Sequence, residues 1–268
     1  MSFAVRLVLL ATLTLTACAP RPAASLPIAR AAPSQPFVIA ANPLAARAGI
    51  AVLKRGGSAV DAAVAVQAML SLVEPQSSGV GGGAFLNYYD GATGRISVYD
   101  GREMAPAQAS PAMFMDNGGQ PLSFDVAVLS GRATGVPGAV AMLAMAQREH
   151  GRLQWRSLFG SAQRTAATGF TVSPRLARLI AADFAENKAP DVVAYFTRPD
   201  GHLMTSGDTL RNPAYAAFLG RLAAQGPSAL YGGETGARIV VHLRSLSCLK
   251  AKTQRLIQKL TEYLHPVD

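Results

Sequence analysis

The residue with the clearest capacity to bind a ligand is Arg102, which follows an expected β-strand. A guanidinium group keeps its charge in proteins, and its N–H donors match a carboxylate in paired geometry. Arg102 therefore suits the binding of a carboxylate. A structural interpretation stays open, in which Arg102 pairs with Glu103 or Asp100 and braces the end of the strand. Glu103 is expected to orient its neighbours rather than to exchange protons.

A glycine-rich run at residues 78–83 is the second candidate. Consecutive free backbone amides can cradle an anion such as phosphate. This run lacks the Lys-Ser/Thr pair of a nucleotide loop, and it precedes an expected strand rather than a helix. We therefore favour the alternative that its glycines let two backbone segments pack closely or adopt a positive φ. The same interpretation is favoured for residues 131–138, which lead into a helix.

The sequence contains no recognisable metal site. Its histidines are far apart and lack the i, i+4 or Cys-x-x-Cys spacing of ligand sets. A Ser-His-Asp triad stays open because its members need not be close in sequence, although the Gly-x-Ser-x-Gly motif that would favour one is absent. We therefore predict neither a metal nor a cofactor. The histidines are His150, His202, His242 and His265.

Helices packed on short strands must position these candidates. One helix is predicted between an Asn42 cap and the glycine pair 56–57, and a second from a Ser58 cap to Pro75. Because helix pairs flank short strands without regular βαβ alternation, we predict the α+β class. The other predicted elements are strands at 38–41, Ala84–Tyr89 and Arg95–Tyr99, a helix opened by residues 135–138 and running to His150, helices around 157–169, 173–187 and 212–225, and an irregular segment at 111–131 with a turn at 116–119.

Composition places the chain among globular proteins. Of its 268 residues, 50% are hydrophobic and 15% are charged, and the formal net charge is +9. Such a chain can bury a substantial core. The basic residues are scattered and form no stripe or recognisable reading motif, so nucleic-acid binding is not expected.

Residues 1–18 are predicted to be a targeting signal. Arg6 supplies its positive end and residues 7–17 its apolar run, which is too short to span a membrane as a stable helix. Cys18 ends a lipobox-like sequence, so we favour cleavage before this cysteine and lipid attachment to it, with an ordinary secretory signal as the alternative. Residues 19–36 read as a flexible linker. Either signal implies export, to the periplasm or as a membrane-anchored lipoprotein of a bacterium.

Four sequence runs together resemble one family. In combination they are similar to the amino-terminal, large-subunit part of the γ-glutamyltransferases (glutathione hydrolases), and the resemblance covers residues 37–240. The runs are Asn42-Pro43-x-Ala45, the segment from Gly56 to Ala63, the glycine run at 79–83, and Arg102-Glu103-Met104-Ala105-Pro106.

The resemblance implies a fold and a chemistry. The fold is an αββα sandwich of the N-terminal-nucleophile hydrolase type, present here only in part. In this family the precursor cleaves itself before a threonine, whose hydroxyl attacks the γ-glutamyl carbonyl of glutathione. The acyl-enzyme is then resolved by water or an amino acid. By motif match, Arg102 binds the α-carboxylate of the donor, and Glu103 is its neighbour.

The family's threonine and oxyanion glycines have no counterpart in this sequence. We therefore assign no catalytic residue and expect the chain alone to be inactive, with exposed apolar faces and open sheet edges, unless a small-subunit chain completes it. The alternative is a non-catalytic exported lipoprotein that binds a γ-glutamyl ligand or a partner chain. Residues 241–268 form a basic amphipathic pattern that could lie on an anionic membrane. We favour a frameshift-derived end, because the composition changes there.

Overall fold

The structure is a computed structural model that describes residues 35–246. Within this part of the chain it contains ten α-helices and two antiparallel ribbons of two strands each. The helices are α1 Pro43–Lys54, α2 Ala59–Val73, α3 Phe124–Val128, α4 Ala139–His150, α5 Gly160–Thr168, α6 Pro174–Ile180, α7 Pro190–Phe196, α8 Pro213–Gln225, α9 Ser228–Tyr231 and α10 Gly233–Leu246. The strands are β1 Ala84–Asp90, β2 Arg95–Gly101, β3 Phe170–Thr171 and β4 Thr209–Leu210.

Helices α1 and α2 begin at the predicted caps. The Asn42 side chain accepts a hydrogen bond from the Leu44 N–H at 3.0 Å, with Pro43 at the first helical position. Ser58 and Asp61 form a reciprocal capping box at the start of α2. The apolar faces of α1 and α2 pack together in the core, and the predictions for both helices are confirmed.

The β1–β2 hairpin has one covered and one exposed face. Its strands pair in register from Ala84 opposite Gly101 to Asp90 opposite Arg95, one or two residues beyond the predicted ends. The covered face packs on α4 and contributes the buried Tyr99. The other face is exposed, and besides the polar Asn87 and Asp100 it presents four apolar side chains, those of Phe85, Tyr89, Ile96 and Val98. We call these four residues the outer hairpin face.

Two predicted elements are corrected by the structure. Residues 38–41 form no strand, since no neighbouring segment pairs with them, and Val38 instead lies against α1 near Gly49. The helix predicted over 173–187 ends at Ile180. There the side-chain amide of Asn187 donates to the carbonyls of Leu179 and Ala182, both at 2.8 Å, and so satisfies groups that the next helical turn would have used.

The remaining predicted helices are present with shifted ends. Helix α4 follows the 135–138 segment and runs to His150, while α5 and α8 occupy the regions around 157–169 and 212–225. The segment at 111–131, expected to be irregular, contains the predicted turn at 116–119 but also the short helix α3 and a 3₁₀ turn at Pro111–Phe114. A second 3₁₀ turn, Gly131–Ala133, begins at its last residue. Helix α10 continues without a break from Gly233 to Leu246. None of the helices between residues 35 and 246 is long and apolar enough to cross a membrane.

Candidate active-site arginine and its support

Arg102 lies directly after β2, with its side chain about half exposed (54%). Its Nη2 lies 3.0 Å from Oε2 of Glu103, and its backbone N–H donates to Oδ1 of Asp100 at 2.9 Å. The ion pair considered from the sequence is therefore present with Glu103. Because both partners are solvent-accessible, such a pair is worth only about 0–1 kcal/mol. The guanidinium can therefore exchange Glu103 for a ligand carboxylate at small cost.

Glu103 joins Arg102 to the glycine run. Its Oε1 accepts a hydrogen bond from the Gly83 N–H at 2.6 Å, while Oε2 faces Arg102. The pKa of Glu103 is lowered, chiefly by its own backbone N–H. Burial opposes this as the next-largest effect, and the Gly83 N–H and the adjacent Arg102 charge lower the pKa further. Glu103 is thus anionic at neutral pH and suits orienting Arg102.

The glycine run packs against the strand end, as favoured from the sequence. A Cβ built on Gly83 would lie 2.6 Å from Oε2 of Glu103 and 2.7 Å from its backbone nitrogen. The carbonyl of Gly82 accepts a hydrogen bond from the N–H of Ala139, in the first turn of α4, at 3.1 Å. None of the run's glycines has a positive φ. The close-packing interpretation is therefore confirmed at Gly83.

A second segment holds the other side of the strand end. Met104 and Val136 form an isolated antiparallel bridge, with N–H to O distances of 3.1 and 2.8 Å. Residues 101–104 therefore lie between the glycine run and the 135–138 segment, and both sequence candidates meet at Arg102.

Helix α4 fixes the middle of the hairpin. The hydroxyl of Tyr99 donates to Oε2 of Glu149 at 2.5 Å and lies 2.7 Å from Nε2 of His150. The His150 ring stacks on Tyr88, with ring centroids 4.0 Å apart. Burial and the Glu149 carboxylate together raise the pKa of Tyr99 to about 12. Arg102 thus follows a hairpin that is anchored to α4 at its middle.

Two buried carboxylates connect segments that are distant in sequence, and the sequence does not single out either one as functional. Asp61 accepts hydrogen bonds from the backbone of Ser58, Arg152 and Leu153 and from the side chain of Gln147. Glu74, at the end of α2, accepts from Asn42 at 3.0 Å, from Gln76 at 2.7 Å and from Arg175. The Ser58-x-x-Asp61 spacing identifies the first carboxylate locally, whereas no local pattern identifies the long-range partners of either one.

The other residues raised from the sequence lie apart from Arg102. His202 pairs with Asp200 on the surface, and His242 lies on α10. Cys18 and His265 lie outside the described residues. In the portion from 35 to 246 there is no group of three His, Cys, Asp or Glu side chains placed to hold a metal ion.

Comparison with known proteins identifies the class. The family model for gamma-glutamyltranspeptidase matches residues 45–252. The chain is 38% identical over 198 residues to the glutathione hydrolase proenzyme of Bacillus subtilis strain 168, which covers 74% of this chain and 34% of the relative. It is 37% identical over 193 residues to glutathione hydrolase 3 of Arabidopsis thaliana, which covers 72% and 29%.

The crystal structure of Helicobacter pylori gamma-glutamyltranspeptidase superposes with a TM-score of 0.77 and 27% identity, covering 86% of this chain and 64% of that one. The chain belongs to the γ-glutamyltransferase (glutathione hydrolase) family, and the predicted α+β fold of the N-terminal-nucleophile hydrolase type is confirmed. It spans about a third of the length of the curated relatives that it matches.

Proposed function

We propose that this chain supplies the donor-recognition part of an exported γ-glutamyltransferase or glutathione hydrolase. In this proposal Arg102 binds the α-carboxylate of glutathione or another γ-glutamyl compound. The family membership supports the substrate class, and the position of Arg102 within the Arg-Glu-Met-Ala-Pro run supports its role.

The observation that carries the proposal is the combination of an accessible guanidinium with an anchored backbone. Arg102 is about half exposed, but the residues on either side of it are held by Asp100, Gly83 and Val136. A preorganised arginine loses little conformational freedom when it binds a carboxylate in paired geometry. An arginine serving only as a surface ion pair would not need this support.

The residues of this chain would bind and orient the donor rather than cleave it. The family's threonine nucleophile has no counterpart in these 268 residues. We therefore expect the polypeptide, expressed as it stands, to leave γ-glutamyl anilides intact. Turnover would need a small-subunit chain that carries the threonine.

The outer hairpin face supports the proposal of a partner chain. Phe85, Tyr89, Ile96 and Val98 are 63–69% exposed and lie side by side on one face of a two-stranded ribbon. In an αββα sandwich, helices cover one face of each sheet and the other sheet covers the second, so an exposed apolar face of this kind calls for a cover. We expect the small subunit to pack on it.

The decisive experiment measures binding of L-glutamate to the full chain by ligand-observed NMR. Isoglutamine, in which an amide replaces the α-carboxylate, serves as the control ligand. We expect Arg102→Lys to weaken L-glutamate binding by about tenfold or more, because lysine loses the paired donors. The matched control Arg95→Lys, at the opposite end of β2, should bind like the wild type. Equal binding by wild type and Arg102→Lys, or equal binding of both ligands, would overturn the proposal.

A second candidate function is an exported lipoprotein that binds a γ-glutamyl ligand without turning it over. It is favoured by the presence of Arg102 together with the absence of a threonine counterpart in these residues. Co-expression with a downstream small-subunit chain separates the two. Activity on a γ-glutamyl anilide supports the enzyme, whereas correctly paired but inactive chains that still bind L-glutamate support the binding protein.

A further inference from the structure

We infer that Gly138 is a positioning residue for Arg102, acting through the space that its missing Cβ leaves open. The inference rests on the proposed function for the identity of the ligand. Gly138 lies directly before α4, with φ −114° and ψ −21°. Most residues can adopt this conformation, so the backbone angles do not explain a glycine here.

Space explains it. A Cβ built on Gly138 would overlap the carbonyl oxygen of Gly101 and would lie 2.7 Å from the carbonyl oxygen of Arg102. Both atoms belong to the backbone, so neither can move aside without shifting the end of β2. At the end of β2 itself, a Cβ on Gly101 would lie 2.5 Å from Cβ of Met142 in α4. The start of α4 and the backbone that carries Arg102 are therefore in direct contact.

The same short segment makes three further contacts with the site. A Cβ on Gly135 would lie 3.0 Å from Cβ of Glu103. Val136 exchanges two backbone hydrogen bonds with Met104, and the Ala139 N–H donates to Gly82. Residues 135–139 thus touch both the strand end and the glycine run, which meet through the Gly83–Glu103 hydrogen bond.

The first turn of α4 is also anchored to the core by a hydrogen bond. The Ala141 N–H, one of the first-turn donors that lack an intrahelical acceptor, donates to the hydroxyl of Tyr231 at 3.1 Å. Tyr231 is 4% exposed, so this anchor lies in the core. A methyl group at residue 138 therefore has little room on the helix side, and the displacement falls on Arg102 and Glu103.

The test uses an arginine-directed reagent, phenylglyoxal, on the full chain, with mass spectrometry reporting the modification rate at each arginine. Arg238, which is exposed on α10, provides a reference rate in the same digest. In Gly138→Ala we expect Arg102 to react about fivefold faster relative to Arg238, because its pairing with Glu103 is lost. We also expect the concentration of L-glutamate that protects Arg102 to rise by about tenfold or more.

Gly81→Ala is the matched control, because a Cβ at Gly81 meets nothing within 4 Å. It should react and be protected like the wild type. The inference is overturned if folded Gly138→Ala behaves like the wild type at Arg102, or if both variants change equally. Should Gly138→Ala fail to fold, Gly135→Ala decides, since its closest contact is a milder 3.0 Å. A faster Arg102 in that variant supports the inference, and an unchanged one overturns it.

The two readouts separate this inference from the proposed function. If L-glutamate fails to protect Arg102 in the wild type, the proposed ligand is wrong. The rates at which Arg102 is modified without ligand in Gly138→Ala and Gly81→Ala still report whether Gly138 positions the guanidinium.

Discussion

The carboxylate of Asp61, which is fully buried, accepts a hydrogen bond from the backbone N–H of Arg152, 91 residues further along the chain, at 2.8 Å. The same oxygen accepts from Leu153 at 3.1 Å and from Ser58 at 2.9 Å. One side chain therefore caps helix α2 and fixes the turn after α4, the helix that supports Arg102.

Replacing Asp61 by Asn should destabilise the fold by about 2 kcal/mol, because the amide oxygen can replace only one carboxylate oxygen. The new amide nitrogen would then face the donating amide of Gln147, and the backbone hydrogen bonds would lose their charged acceptor. Asp116→Asn, in an exposed turn, is the control and should change stability by less than about 0.5 kcal/mol. Urea denaturation at pH 7 measures both effects. Equal unfolding midpoints for Asp61→Asn and the wild type would show that these hydrogen bonds contribute nothing net.

The Asp61 effect should also depend on pH. Burial alone would raise the pKa of Asp61, but the donors from Ser58, Arg152, Gln147 and Leu153 outweigh it and hold the pKa below its usual value. A lowered folded-state pKa contributes stability that is fully present above the unfolded pKa of about 3.9 and is lost as the pH falls through the folded value. The stability difference between wild type and Asp61→Asn should therefore shrink below about pH 4.

Tyr231 should make the fold sensitive to alkali. Burial raises the pKa of Tyr231 to about 12, with the Ala141 N–H acting in the opposite direction. A raised folded-state pKa means that the contribution is fully present below the unfolded value of about 10 and is lost between about pH 10 and 12. Tyr231→Phe should cost about 1 kcal/mol at pH 8, where the Ala141 N–H loses its acceptor.

Between pH 9 and 11.5 Tyr231→Phe should then lose less stability than the wild type. Urea midpoints across this range measure the difference. Tyr89→Phe, on the exposed outer hairpin face, controls for general alkaline effects. Parallel pH curves for wild type and Tyr231→Phe would contradict the assignment.

Local signals predicted the elements of this fold better than the contacts between them. The helix caps at Asn42 and Ser58 and the hairpin alternation were sufficient for α1, α2, β1 and β2, because caps and alternation act within a few residues. The strand proposed at 38–41 failed because a strand needs a pairing partner that its own sequence does not specify.

The site itself was predicted only in part, for the same physical reason. Arg102 and Glu103 were recognised from their run, and their ion pair was anticipated. The contact of Gly138 with the strand end joins segments that are far apart in sequence, so glycine positions alone did not reveal it. No local pattern in the sequence indicates that the Glu74 carboxylate ties α2 to the starts of α1 and α6.

We predict that the chain is exported as a lipoprotein with its lipid attached to Cys18. Labelled palmitate should be incorporated into the wild-type chain in a bacterial host, and the chain should be recovered with membranes. Cys18→Ala should abolish both results, because it removes the thiol that lipid attachment requires. Cys248→Ala is the matched control and should be labelled like the wild type. A wild-type chain that is released without label would instead establish the ordinary secretory signal.

The outer hairpin face should drive association of the chain when no partner covers it. Ile96 and Val98 are 69% and 67% exposed, so replacing both by Thr removes apolar surface without opening a cavity and keeps a residue suited to strands. The double variant should sediment as a smaller species than the wild type at equal concentration, with an unchanged melting temperature. Leu86→Ala, on the half-buried opposite face, should instead lower the melting temperature and leave association intact. Identical sedimentation of wild type and double variant would show that the face needs no cover, and the proposed contact with a small subunit would then have to lie elsewhere.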